Sequence, residues 1–74
     1  MNLSLRQAIM LRVKDKSNEE LEEVIESSID GDERALPGLG VLFELIWKDS
    51  EETVRQQLVQ TLHDHLEQTP EPAK

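Results

Sequence analysis

Two histidines, a glycine pair and sixteen carboxylates are the groups from which this 74-residue chain could build a chemical site. His63 and His65 stand two apart, so on a helix they point to different sides. A shared metal needs the i, i+4 spacing that puts both imidazoles on one face. His65 falls on an apolar stripe and reads as cover for the core edge, and His63 reads as solvent-facing. Gly38-x-Gly40 lacks the third glycine of a dinucleotide loop, follows no strand pattern and has no nearby Lys-Ser/Thr pair. It predicts a turn or a close helix approach, not a phosphate cradle. Ser27 and Ser28 have no base at useful spacing. Among the carboxylates, Glu44 alone lies in an apolar setting that could shift its pKa. Lys48 offers it a partner at i, i+4 in the favoured Glu-before-Lys order. No catalytic residue, metal ligand or cofactor site follows, and the chain does not read as an enzyme.

The charge is uneven. The net charge is −8, yet residues 1–16 hold Arg6, Arg12, Lys14 and Lys16 against Asp15, which is +3. The remaining residues therefore carry −11. Eight acids stand between Glu19 and Glu33 with no base before Arg34. Such a surface repels phosphate backbones, so nucleic-acid binding is not expected. It keeps the chain soluble or docks a basic partner. No cysteine is present to form a disulfide or a thiolate metal site. A chain this short must hold itself by helix packing, self-association or both.

Membrane and export signals are not apparent. Arg6 and Arg12 interrupt the apolar start, and no small-residue cleavage site follows it. The longest apolar run, Leu39 to Trp47, contains Glu44 and has nine residues where a span needs about 20. The chain reads as intracellular and soluble.

The spacing predicts four helical segments. The first runs from about Leu3 to Lys14 with Leu5, Ala8, Ile9 and Val13 on one face, capped by Asn2 or Ser4. Ser17-Asn18-Glu19-Glu20 is a capping box opening the second, whose stripe is Leu21, Val24, Ile25, Ser28 and Ile29. Gly31 is placed to end it in left-handed conformation. Pro37-Gly38 reads as a tight turn, with Pro37 at the first helical position as the competing reading. A third helix follows from about Leu39 to Asp49. Leu45, Leu42, Ile46, Leu39, Phe43 and Trp47 cover roughly 200° of its circumference. That width makes it the central helix, with the stripes through Ile9, Ile25 and Leu62 packed on it. A fourth helix starts near Asp49 or Ser50, with Asp49 and Glu52 as a box-like start. The expected architecture is all-α: a small bundle of three to four short helices over 1–68, with a disordered tail at 69–74.

Leu36-Pro37-Gly38-Leu39-Gly40-Val41-Leu42-Phe43-Glu44-Leu45-Ile46-Trp47 holds the only Trp, the only Phe and two of the three glycines. This run resembles the signature of the small acid-soluble spore protein I type of endospore-forming bacteria. Asn2-Leu3-Ser4-Leu5-Arg6-Gln7-Ala8 and Glu20-Leu21-Glu22-Glu23-Val24-Ile25 are similar to further stretches of that family. The resemblance implies a minor spore protein made in the forespore and stored in the dormant spore core, with no defined biochemical activity. The major α/β-type spore proteins, which coat DNA, are a different group. This chain lacks their Gly-rich composition, and Glu23-Val24-Ile25-Glu26-Ser27 does not reproduce their germination-protease pattern. The alternative reading is a small acidic regulator that binds another protein through its apolar third helix. The spore-protein reading leaves protein contacts or simple storage as the role; self-association in a homodimer or binding of a protein partner is expected through that helix, with Trp47 and Leu45 at its two edges.

Overall fold

Hydroxyl caps start the first two helices. The Ser4 hydroxyl accepts the Gln7 N–H at 3.1 Å, and the Gln7 side chain accepts the Ser4 N–H at 2.9 Å. Ser17 and Glu20 repeat the arrangement at 3.2 and 2.9 Å. Each box satisfies two N–H groups that a helix start otherwise leaves free. In this computed structural model, which describes residues 4–69, the elements are α1 (Leu5–Val13), α2 (Asn18–Ser28), a 3₁₀ turn (Glu33–Ala35), α3 (Leu36–Asp49) and α4 (Glu52–Gln68). No strand occurs among the described residues. The fold is the expected all-α one. Asn2 and Leu3 of the expected first helix, and the expected tail beyond Thr69, lie outside the described residues.

Ser17→Ala should therefore weaken α2 by about 1 kcal/mol, the usual value of an N-cap hydroxyl. A thermal melt followed by circular dichroism checks this: an unchanged midpoint would mean the box contributes nothing.

Three boundaries differ from expectation. Asp30, not Gly31, takes the left-handed conformation after α2, with φ 58°. Aspartate tolerates that region better than most residues. Gly31 serves space instead, since a Cβ there would stand 3.3 Å from the Ser27 carbonyl oxygen. The Pro37-Gly38 turn does not form. α3 begins at Leu36, the 3₁₀ turn runs straight into it, and Pro37 sits in its first turn, where a missing N–H costs nothing. Finally, the Asp49–Glu52 box is absent. Asp49 closes α3, and Glu51 caps α4 without a side-chain hydrogen bond.

α1 and α2 both pack on α3, which is the central helix as expected. The centre of packing is not where the stripe placed it. Val41 is the buried hydrophobic residue, at 7% exposure, while Phe43 remains 49% and Ile46 44% exposed. On the helical wheel Val41 lies about 40° past Leu45, just outside the predicted arc. α1 lies beside Val41 at that edge, α2 meets α3 across the cleft at Leu39 and Leu42, and Phe43 and Ile46 stay in solvent.

α4 does not pack on α3 as a fourth layer. Val54, Val59, Leu62 and Leu66 all stay exposed. His65 is exposed too and covers no core edge. The radius of gyration is 14.5 Å, against about 11 Å for a compact chain of this length. The chain on its own is an open assembly with much uncovered aliphatic surface.

Candidate functional site

The signature residues Leu36 to Trp47 all fall on α3, and their side chains divide into two faces. Gly38, Val41, Leu42 and Leu45 turn toward α1 and α2 and are buried or half-buried. Leu36, Phe43 and Ile46 turn outward and are exposed. Leu39 and Trp47 lie half-buried between them, and Pro37 and Gly40 are exposed at the first turns.

Glu44 is fixed by a residue the sequence did not suggest. Arg6 of α1 grips it with a two-pronged ion pair, Nε to Oε1 and Nη2 to Oε2, both 2.8 Å. The expected Lys48 contact is replaced by this fork; Lys48 adds only a weaker field. The geometry is the planar match that makes arginine preferable to lysine opposite a carboxylate. It orients α1 across α3.

The Arg6 hydrogen bond, followed by the charges of Arg6 and Lys48, holds the Glu44 carboxyl below its ordinary 4.5. Glu20 is lowered likewise, first by the Ser17 backbone N–H. Asp32 is lowered by Arg34, whose side chain bonds it at 3.1 and 3.2 Å. A carboxyl whose folded pKa is depressed stabilises the fold above its unfolded value and loses that contribution as pH falls through the folded value. Stability should therefore decline below pH 4.5. In Glu44→Gln the decline should be smaller. Urea midpoints at about pH 6 and pH 3 compare the two, and an equal loss in both proteins would show the fork to be inactive.

Trp47 ends α3 beside two partners. Its ring centroid is 5.8 Å from that of Phe43, tilted by 41°. The Arg55 guanidinium lies 5.6 Å from the ring on its other contact. Arg55 also donates to the carbonyls of Trp47 at 2.8 Å and Lys48 at 3.3 Å. It thereby closes the C-terminus of α3 and sets the direction in which α4 leaves. Its position eight residues after Trp47 crosses a helix boundary, so no spacing rule pointed to it.

A cleft of about 490 Å³ opens between α1, α2 and the start of α3. Leu5, Ile9, Val13, Val24, Leu39 and Leu42 contribute its apolar lining. Arg12, Lys16 and Arg34 line it as well. Arg34 is paired with Asp32, whereas Arg12 and Lys16 make no ion pair among the described residues. The sequence showed the basic start of the chain but gave no sign that it borders a cavity.

His63, Asp64 and Glu67 bring their ligand atoms within 4.8 Å on one exposed turn of α4. His63 Nδ1 is 3.7 Å from Glu67 Oε1. All three are solvated surface residues, and the cluster excludes His65 as the spacing expected. No helix among the described residues is long and apolar enough to cross a membrane.

The described surface thus has an outward apolar face on α3, exposed apolar residues along α4 and a cleft with a basic edge. Comparison with known proteins gives the lineage. The family Small, acid-soluble spore protein I matches residues 3–66. The chain belongs to that family. Among its relatives, the Small, acid-soluble spore protein I of Geobacillus kaustophilus is 45% identical over 69 residues, covering 92% of this chain and all of that protein. The Bacillus licheniformis protein of the same name is 45% identical over 67 residues, 89% of this chain and 96% of its own. That of Bacillus cytotoxicus is 42% identical over 67 residues with the same coverage. No solved structure matches the chain with significance. Family membership makes this a sporulation protein by kinship.

Proposed function

We propose that the protein is a non-enzymatic constituent of the dormant spore core that acts through protein contacts. The carrying observation is the family match across residues 3–66, which includes the whole signature on α3. The side chains support a contact role. The three outward residues of α3 are aliphatic or aromatic. The −11 balance beyond residue 16 disfavours duplex DNA as the partner.

A fluorescent fusion followed through sporulation, with fractionation of purified spores, tests the reading. Synthesis confined to the forespore and recovery from the core fraction are expected. Synthesis during vegetative growth would overturn it in favour of the second reading, a small acidic regulator that binds a protein through α3. That second reading draws on the exposed Leu36, Phe43 and Ile46 face.

A further inference from the structure

Two unmatched features of this chain fit each other. α4 carries Leu58, Leu62 and Leu66 in a row at i, i+4, i+8, with Leu62 56% and Leu66 59% exposed. The cleft between α1, α2 and the start of α3 has an aliphatic lining and space for several side chains of that size. We propose that the chain forms a twofold dimer in which α4 of each copy seats this leucine row in the α1–α2–α3 cleft of the other.

Charge favours a second copy as the occupant. Residues 51–68 hold Glu51, Glu52, Asp64 and Glu67 against Arg55, which is −3 with histidines neutral. The cleft presents Arg12 and Lys16, neither of which makes an ion pair among the described residues, with Lys16 close enough to Glu20 to help Ser17 lower its carboxyl pKa. The chain's one basic region thus borders the cleft, and an acidic helix is the complement it lacks.

Among the described residues, none of α4 lines the cleft of its own chain. The cleft lies against Ala35, Pro37, Gly38, Leu39 and Leu42 at the start of α3. α4 leaves from the far end of α3, where Arg55 bonds to the Trp47 and Lys48 carbonyls fix its first turns. Because every copy carries one helix and one cleft, a twofold exchange satisfies both and closes without leaving a free end. Two such contacts would cover the Val59–Leu62–Leu66 surface and the cleft lining in both copies.

The inference deepens the contact reading above, and its test is independent of where the protein is made. Sedimentation equilibrium of the full chain at about 100 μM should give twice the 8.5 kDa chain mass. Leu62→Glu, on an exposed residue, should weaken the dimer by about tenfold or more. Gly38→Leu should do the same by filling the cleft. A Cβ at that helical position meets no heavy atom within 4 Å, so the substitution leaves the monomer free to fold, as helix content by circular dichroism will report. Mixing the two variants should partly restore association, since one retains an intact cleft and the other an intact α4. Arg12→Glu with Lys16→Glu should weaken the parent dimer. A parent that stays monomeric at that concentration, a dimer indifferent to Gly38→Leu, or a mixture that fails to associate would each overturn the proposal. If the dimer holds but the fusion is made in vegetative cells, the spore-core reading falls and this one stands.

Discussion

Val41→Asp will abolish cooperative unfolding, whereas Phe43→Ala will leave it in place. Val41 is the buried hydrophobic residue, 7% exposed, where α1 packs beside it on α3. A carboxylate there has no cation within the packing face except through the Arg6–Glu44 fork, which is already complete. Burying it costs about 3 kcal/mol or more, close to all that a core of this size provides. The apolar stripe read from the sequence made Phe43 part of the core, where truncation would cost roughly 3–5 kcal/mol. At 49% exposure the ring has only about half of that to lose, about 1–2 kcal/mol. Urea melts followed at 222 nm distinguish the two variants. A Phe43→Ala chain that melts without cooperativity while Val41→Asp retains it would reverse the assignment of faces on α3.

That reversal of faces marks where sequence reasoning loses hold. Capping chemistry is local: Ser17 and Glu20 are three residues apart, and their box appears as read. Helix existence and the central place of α3 also follow from periodicity, because an arc of about 200° demands neighbours. Which edge of that arc is covered depends on partners far along the chain. Arg6 lies 38 positions before Glu44, and no spacing rule reaches across such a gap. Lys48 was the nearest cation in sequence, and the planar fork of Arg6 outcompeted it in space. The same distance problem hid the cleft. Arg12 and Lys16 looked like helix C-terminal charges, and only the approach of α2 and α3 makes them its border. The α4 stripe was legible too, but periodicity reports that a face is apolar without reporting what covers it. The glycines failed for a different reason. Pro-Gly is a strong turn signal locally, yet the 3₁₀ turn at Glu33–Ala35 leads directly into α3 and Pro37 takes a first-turn place, as the competing reading had it, so Pro37 and Gly38 are helical.

Gly38→Ala together with Gly40→Ala will stabilise the isolated chain by about 1 kcal/mol, because both glycines sit in the first turns of α3, where alanine gains less than in a helix interior. Both lie inside α3, neither has positive φ, and a Cβ at either would meet no heavy atom within 4 Å. Alanine thus loses nothing in packing and reduces the freedom of the unfolded chain. Gly31→Ala makes the contrast. Gly31 lies outside the helices, so no helix-propensity gain applies, and its Cβ would press to 3.3 Å from the Ser27 carbonyl oxygen, so it should not raise stability. Thermal melts at about 5 μM, well below the concentration proposed for assembly, isolate the monomer. If the double alanine variant melts no higher than the parent, α3 does not extend through Gly38 in the free chain. If it does melt higher, the signature holds two glycines that its own fold has no use for. Gly38 lines the cleft, and its missing side chain keeps open the space into which a partner's leucine row would fit. The monomer's stability and the room for that partner then compete at one residue. The alanine pair should accordingly raise the melting midpoint at low concentration and yield less dimer at high concentration.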